Sequence, residues 1–236
     1  ELGWGGFWAW DPVENAALMP WLTGTAFLHS VMIQEKRNML KIWNVVLIIL
    51  TFGLTIVGTF LTRSGIINSV HAFTQSEIGP AFLIFLAFIL VIGFALLFKR
   101  INMLESEHKI DSILCRENVF LAQNVLLVGI AFTVLLGTTF PLLAEAVRGT
   151  KLSIQAPFFN TIIAPMGYLL LLLMGIGTLI AWRKSSLEGL LRSFKNPFIL
   201  ATGGTVFLAW FLSDRNLLWS VHTIFWLAIF VTSTIL

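Results

Sequence analysis

The sequence is poor in charge. Asp, Glu, Lys and Arg make up 11% of its 236 residues, against 57% hydrophobic residues, and mean hydropathy is +0.89. A soluble domain carries about 25% charged residues to cover its surface, so a water-bathed globule is excluded and lipid is the expected solvent. Cysteine is nearly absent: the single one, Cys115, lies in a charged stretch. A lone cysteine excludes an internal disulfide, a CxxC redox pair and a CxxCH haem-attachment motif within the chain. Strand-type alternation is missing, which excludes a β-barrel. The formal charge is only +3, and no nucleic-acid partner is expected from it.

What remains is a set of apolar runs, each about 20 residues long, enough to cross a hydrocarbon core of about 30 Å. They fall at roughly 17–34, 42–62, 80–98, 118–138, 158–182, 197–212 and 217–236. Lipid offers the backbone no hydrogen bonds, so such runs must be helices. The expected fold class is therefore all-α: a polytopic transmembrane helix bundle of about seven spans with a tryptophan-rich outer segment. The chain opens at Glu1 without an initiator Met, and it reads as an internal fragment of a longer protein.

Basic residues sort between alternate loops. Lys36, Arg37 and Lys41 share one loop, Lys99, Arg100, Lys109 and Arg116 another, and Arg183, Lys184, Arg192 and Lys195 a third. Those are 11 of the 15 Lys and Arg. The positive-inside rule places them in the cytoplasm and the alternate loops, with the N-terminal segment, outside. The organisation expected is an outer segment 1–16, helices 17–98 carrying His29 and an outer loop with His71, a cytoplasmic loop 99–117, and further helices 118–236 with an outer loop at 139–157. Residues 185–195, SSLEGLLRSFK, read either as a short interfacial amphipathic helix or as a linker.

The segment WGGFWAWDPVENA, Trp4 to Ala16, holds three of the nine tryptophans, with a fourth at Trp21. Tryptophan favours membrane interfaces, so an aromatic belt is the plainest reading. The glycines add something else. Gly5 and Gly6, with Gly3 before them, let the backbone bend and let a flat ligand come close. Asp11, Pro12 and Glu14 then make a helix start: Asp as N-cap, Pro at the first helical position, Glu three residues after the cap. A short outer helix is expected there. Its N–H groups are candidates to receive an anionic group, with Asp11 competing for them. An aromatic surface ending on a helix start suits a large planar apolar ligand with acidic edges, of which haem is one.

This segment resembles the WWD motif of the haem-handling proteins of cytochrome c maturation. The wider chain is similar to the CcmF family of haem lyases, through LHSVMIQEKR at 28–37, GTFLTRSGIINSVHAF at 58–73 and APFFNTIIAPMGYLLLLLMGIGTLIAWR at 156–183. The last two stretches single out CcmF or its paralogue in nitrite reductase maturation. The resemblance implies a haem-handling surface at Trp4, Gly5, Gly6, Trp8, Trp10, Asp11, Pro12, Glu14 and Asn15.

Among the four histidines, His29 lies inside an apolar span, where an ionisable side chain is costly and a functional candidate. From residue types alone, a haem ligand and a histidine bonded to a neighbouring helix are equally good readings. The resemblance makes His29 an axial ligand of an embedded b-type haem, whose second ligand is expected beyond residue 236. His71, in SVHAF, reads from its position as a solvated loop histidine or as a group able to reach a ligand on the tryptophans. The resemblance makes it an outer axial ligand of the transient haem, with a second outer histidine upstream of Glu1. Arg63 is a candidate to pair a haem propionate or a snorkelling charge. Glu145, Arg148 and Lys151 are candidates for partner contacts. His108 and His222 receive no role.

The resemblance further implies a haem lyase reaction: haem delivered by a CcmE-type carrier, thioether bonds formed to CxxCH of apocytochrome c, and CcmH-type and CcmI-type partner subunits. A quinol is the expected electron donor. The setting would be the bacterial inner membrane with the haem site on the periplasmic face, or the mitochondrial inner membrane. Competing readings are a haem transporter or carrier-loading protein, a membrane quinol oxidoreductase, and a secondary transporter with an aromatic vestibule.

Overall fold

A computed structural model describes residues 7–64, 78–106, 112–149, 152–211 and 219–235. The described elements are helices: α1 (Pro12–Arg37), α2 (Lys41–Arg63), α3 (Gly79–Lys99), a 3₁₀ turn (Ile101–Leu104), α4 (Arg116–Arg148), α5 (Ala156–Leu179), α6 (Leu187–Phe211) and α7 (Trp219–Ile235). Five of them, α1 to α5, are long and apolar enough to cross a membrane. α6 opens on Glu188, Arg192 and Lys195 before its apolar part, and the apolar stretch of α7 is the shorter Val221–Ile235. The expected all-α polytopic membrane class is the one found. α3 shows this class most plainly: only 6% of its most apolar window is buried and it is apolar on nearly every side, the pattern of a helix that meets lipid or other apolar helices.

The chain divides into two compact units, Glu1–His108 with Leu127–Ala164, and Lys109–Leu126 with Pro165–Leu236. In the first, α1 packs on α2 and α2 on α3. Residues Ala16, Met19, Leu22, Ala26, Ser30, Ile33 and Arg37 recur at helical spacing and form the buried stripe of α1. α1 is one continuous helix of 26 residues rather than a short outer helix followed by a span. Pro20 does not break it. Its ring leaves the Ala16 carbonyl without an intrahelical donor, and α2 meets that carbonyl with Gly58, where a Cβ would stand 3.2 Å from Ala16 O. A backbone Cα–H can approach the orphaned oxygen there, as at close helix crossings. The α1–α2 turn is three residues long. Asn38 adopts a left-handed conformation with φ 53° and donates its N–H to the Gln34 carbonyl, a helix end that asparagine tolerates well.

α4 runs on to Arg148, so most of the stretch expected as outer loop 139–157 is helix. Gly137 stands where the Pro141 ring would press on the preceding turn, and TTFPLLAEAVR is rich in helix formers. Gly137 has a second task. A Cβ at this position would lie 2.5 Å from Phe159 Cε1.

In the second unit, the charged pair at the start of α4 closes the end of α5. Arg116 donates from Nε to the Ile180 carbonyl at 2.8 Å and from Nη2 to the Thr178 carbonyl at 2.9 Å. Its guanidinium also lies 5.5 Å over the Trp182 ring. The buried Glu117 carboxylate accepts the Arg183 N–H at 3.1 Å, and Arg183 is left-handed with φ 68°. Residues 187–195 are the first turns of α6, not a separate interfacial helix. Ser186 starts it by accepting the Gly189 N–H at 3.1 Å. Cys115 is buried immediately before α4, and burial pushes its thiol up.

Two outcomes follow. Gly137→Ala should lower thermal stability in detergent by about 1–3 kcal/mol, the usual range for overpacking a filled site. Gly167→Ala, whose Cβ meets nothing within 4 Å, should leave the midpoint unchanged; equal effects would show that Gly137 is not under packing constraint. Maleimide should label Cys115 slowly in the folded protein at neutral pH and rapidly after denaturation, because little thiolate is present and little is reachable. Fast labelling of the folded protein would contradict its burial.

Candidate functional site

One end of the first unit collects the residues that carry chemistry. Gly58 lies against Ala16, so the start of α1 and the end of α2 are neighbours, and Arg63 stands exposed on the last turn of α2 at that end. Trp4, Gly5, Gly6 and His71 lie outside the described residues, as do His108 and Lys151. From Ala9 onward the chain is held by hydrogen bonds.

Residues 9–15 wind around two carboxylates. Asp11 is the N-cap of α1 and accepts the Val13 N–H at 2.9 Å, and a full capping box joins it to Glu14. One oxygen of Glu14 accepts both the Ala9 N–H at 3.0 Å and the Asp11 N–H at 3.1 Å. Gathering N–H groups on either side of Trp10 at one oxygen forces a tight bend, and Trp10 at its apex is left-handed with φ 59°. That conformation is costly for a residue with a Cβ, about 1–2 kcal/mol, so other contacts must hold it.

Three contacts do. Asn15, 1% exposed, donates from Nδ2 to the Trp10 carbonyl at 3.1 Å and to Thr138 Oγ1 on α4 at 3.0 Å. Thr138 in turn donates to the Val134 carbonyl at 2.7 Å. The Trp10 indole N–H donates to Asn160 Oδ1 on α5 at 2.7 Å. Its ring stacks on Phe159 with centroids 4.9 Å apart and planes 13° from parallel. Phe159 is itself 1% exposed and occupies the space that Gly137 leaves. Trp8 meets Trp10 edge-on, at 5.7 Å and 87°.

The capping geometry corrects one expectation. The N–H groups at the start of α1 were candidates for an acidic ligand edge, but Asp11 and Glu14 already occupy the capping positions. Arg63, on the last turn of α2, is a cationic group at this end. The open surface is aromatic: Trp8 is 41% exposed and Phe7 fully so.

His29 lies elsewhere. It sits on the shoulder of the buried stripe of α1, half-buried, between Ala26, Ser30 and Ile33, with exposed Leu28 and Met32 beside it. From Asp11 it is about 27 Å along the helix axis at about 1.5 Å per residue. A ligand on the aromatic segment and a metal held by His29 are therefore separate sites. His222, on α7, belongs to the second unit and is half-buried. Glu145 and Arg148 lie on the last turns of α4 rather than in a loop.

Gly137, Thr138, Phe159 and Asn160 were not among the candidates. FFN at 158–160 fell within a recognised stretch, but an apolar helix in lipid shows no pattern that separates the buried Phe159 from the exposed Phe158.

A family model described as "Cytochrome C assembly protein" matches residues 1–67. The chain is 41% identical to the "Cytochrome c-type biogenesis protein CcmF" of Pseudomonas fluorescens, over 98% of this chain and 34% of that protein. It is 44% identical to the "Cytochrome c-type biogenesis protein CycK" of Bradyrhizobium diazoefficiens, over 80% of this chain and 29% of that one. A solved structure titled "Cytochrome c Heme Lyase CcmF" superposes with a TM-score of 0.72 at 33% identity, covering 99% of this chain and 34% of that structure's chain. With its expected fold present as well, the chain belongs to the CcmF family of cytochrome c-type biogenesis proteins and spans about a third of the length of the relatives it matches.

Proposed function

We propose that the aromatic end of the first unit receives haem from a CcmE-type carrier and presents it for covalent attachment to apocytochrome c. The observation that carries this reading is the exposed Trp8 and Phe7 pair, held on a bend that six hydrogen bonds and one ring stack immobilise. Loose aromatic side chains would serve as a membrane belt, and a belt needs no such fixation.

The reaction is the addition of two cysteine thiols of a CxxCH motif across the two vinyl groups of haem. At each vinyl, one carbon takes the sulfur and the other the hydrogen, so each addition is redox-neutral. The substrate brings the thiols, which fits a chain whose lone cysteine is buried at the other unit's helix cap. The chain's own work is orientation. Aromatic faces exclude water from one side of the porphyrin, Arg63 pairs a propionate, and His71, between α2 and α3 in the sequence, ligates the iron. Holding both reactants in place replaces the entropy of a chance encounter, a contribution of about 7–11 kcal/mol in favourable cases.

A b-type haem is also part of this reading. The donor chemistry fits: His29 is an imidazole in an apolar span, with Leu28 and Met32 offering an apolar edge beside it. His29 would supply one axial bond, and the chemistry such a group provides is one-electron transfer from a donor such as quinol. CcmH-type and CcmI-type subunits would bring the apocytochrome, and the setting would be an inner membrane with this end on the periplasmic side.

Tests use the full-length protein. His29→Ala should remove the b-type haem spectrum while the carrier still co-purifies; an unchanged spectrum would refute the ligand assignment. Trp8→Ala should abolish capture of the haem-loaded carrier with the b-type spectrum intact, and normal capture would remove the aromatic surface from the account. His71→Ala should stop cytochrome c assembly in cells, and normal assembly would cancel its role.

A further inference from the structure

We propose that the tryptophans of the aromatic segment divide their labour: Trp10 is an anchor fixed by Asn160 and Phe159 of α5, and Trp8 is the face on which the ligand lies. This rests on the reading of the segment as a haem surface and assigns two positioning residues to it.

The geometry supports the division. A planar ligand gains most by stacking parallel to an aromatic face. Trp8 and Trp10 stand at 87° to each other. A porphyrin parallel to one is perpendicular to the other, so the two rings cannot both stack on it. Trp10 has already given one face to Phe159, at 13° from parallel, and its only polar atom to Asn160. Trp8 keeps 41% of its surface exposed. Trp10 is the less exposed of the two rings, so the ligand takes the open Trp8 and then meets Trp10 with an edge.

The anchor has a structural logic. Trp10 joins the start of α1 to the second turn of α5, and Asn15 joins the same bend to Thr138 of α4. Three helices thus determine the direction in which residues 7–10 point. Asn160 is exposed, and its Oδ1 is spent on an indole rather than on a helix cap. That use makes little sense for a residue that only fills the interface, and a clear one for a residue that aims its neighbour.

The test titrates ferric haem into full-length protein and into Trp8→Ala, Trp10→Phe, Asn160→Leu, Asn160→Asp and the Trp10→Phe/Asn160→Leu double variant. Trp10→Phe keeps the ring stack and loses the N–H. Each single anchor variant should weaken added haem by about threefold to tenfold, the equivalent of one net hydrogen bond. The double variant should be no weaker than either single one, because both remove the same bond. Asn160→Asp keeps an acceptor and should restore binding. Circular dichroism in the Soret region of the added haem should weaken in Asn160→Leu and return in Asn160→Asp, a change that general destabilisation would not reverse. If Trp8→Ala fails to bind haem while Trp10→Phe and Asn160→Leu bind normally, the anchor assignment is overturned and the haem surface stands. If Trp8→Ala binds as the parent does, the haem surface itself is refuted.

Discussion

A backbone in lipid must satisfy its own hydrogen bonds, and the places where it cannot do so alone determine the rest of this structure. The helix interiors need nothing beyond an apolar run. The exceptions need side chains. At the start of α1, Asp11 and Glu14 collect the loose N–H groups, and the bend that results carries Trp10. At the end of α5, Arg116 collects the loose carbonyls, while Glu117 holds the turn that follows. In mid-helix, Pro20 frees the Ala16 carbonyl, and Gly58 lets α2 come close to it. The same close crossing brings Arg63 to the end where the aromatic segment lies. The candidate functional end is thus a consequence of how helix ends are closed.

Much of this was legible in the residues, for a reason tied to the solvent. The hydrocarbon thickness converts run length into spans, so α1 to α5 could be placed from composition alone. DPVE declares a helix start because each of its residues suits one capping position, and α1 does begin at Pro12. Span ends were less legible than span centres. An apolar run was expected to close at 138 and another to open at 197, yet α4 continues through Pro141 to Arg148 and α6 starts at Leu187 and passes through Pro197. Lipid has no donors or acceptors to offer a broken helix, so continuing past a proline is cheaper than stopping there.

The anchor residues were illegible for a different reason. Periodicity separates inside from outside only when the outside is polar. Around α5 the outside is apolar, so Phe158 and Phe159 read alike, although one is exposed and the other buried. A left-handed tryptophan is equally unreadable, because the conformation belongs by habit to glycine and asparagine. Only the contacts of Asn15, Phe159 and Asn160 explain why Trp10 tolerates it.

The geometry keeps the two proposed sites apart on one helix. The aromatic bend sits at the capped end of α1, and His29 lies about 27 Å further along the axis, at about 1.5 Å per residue. The central claim is that these are two haem sites with separate protein contacts. A cryo-electron-microscopy map of the full-length protein, captured with its haem-loaded carrier, tests it most directly. The account predicts two planar densities, one lying flat on Trp8 and one coordinated by His29. A single porphyrin density, or one near the aromatic bend that makes no contact with Trp8, would contradict it.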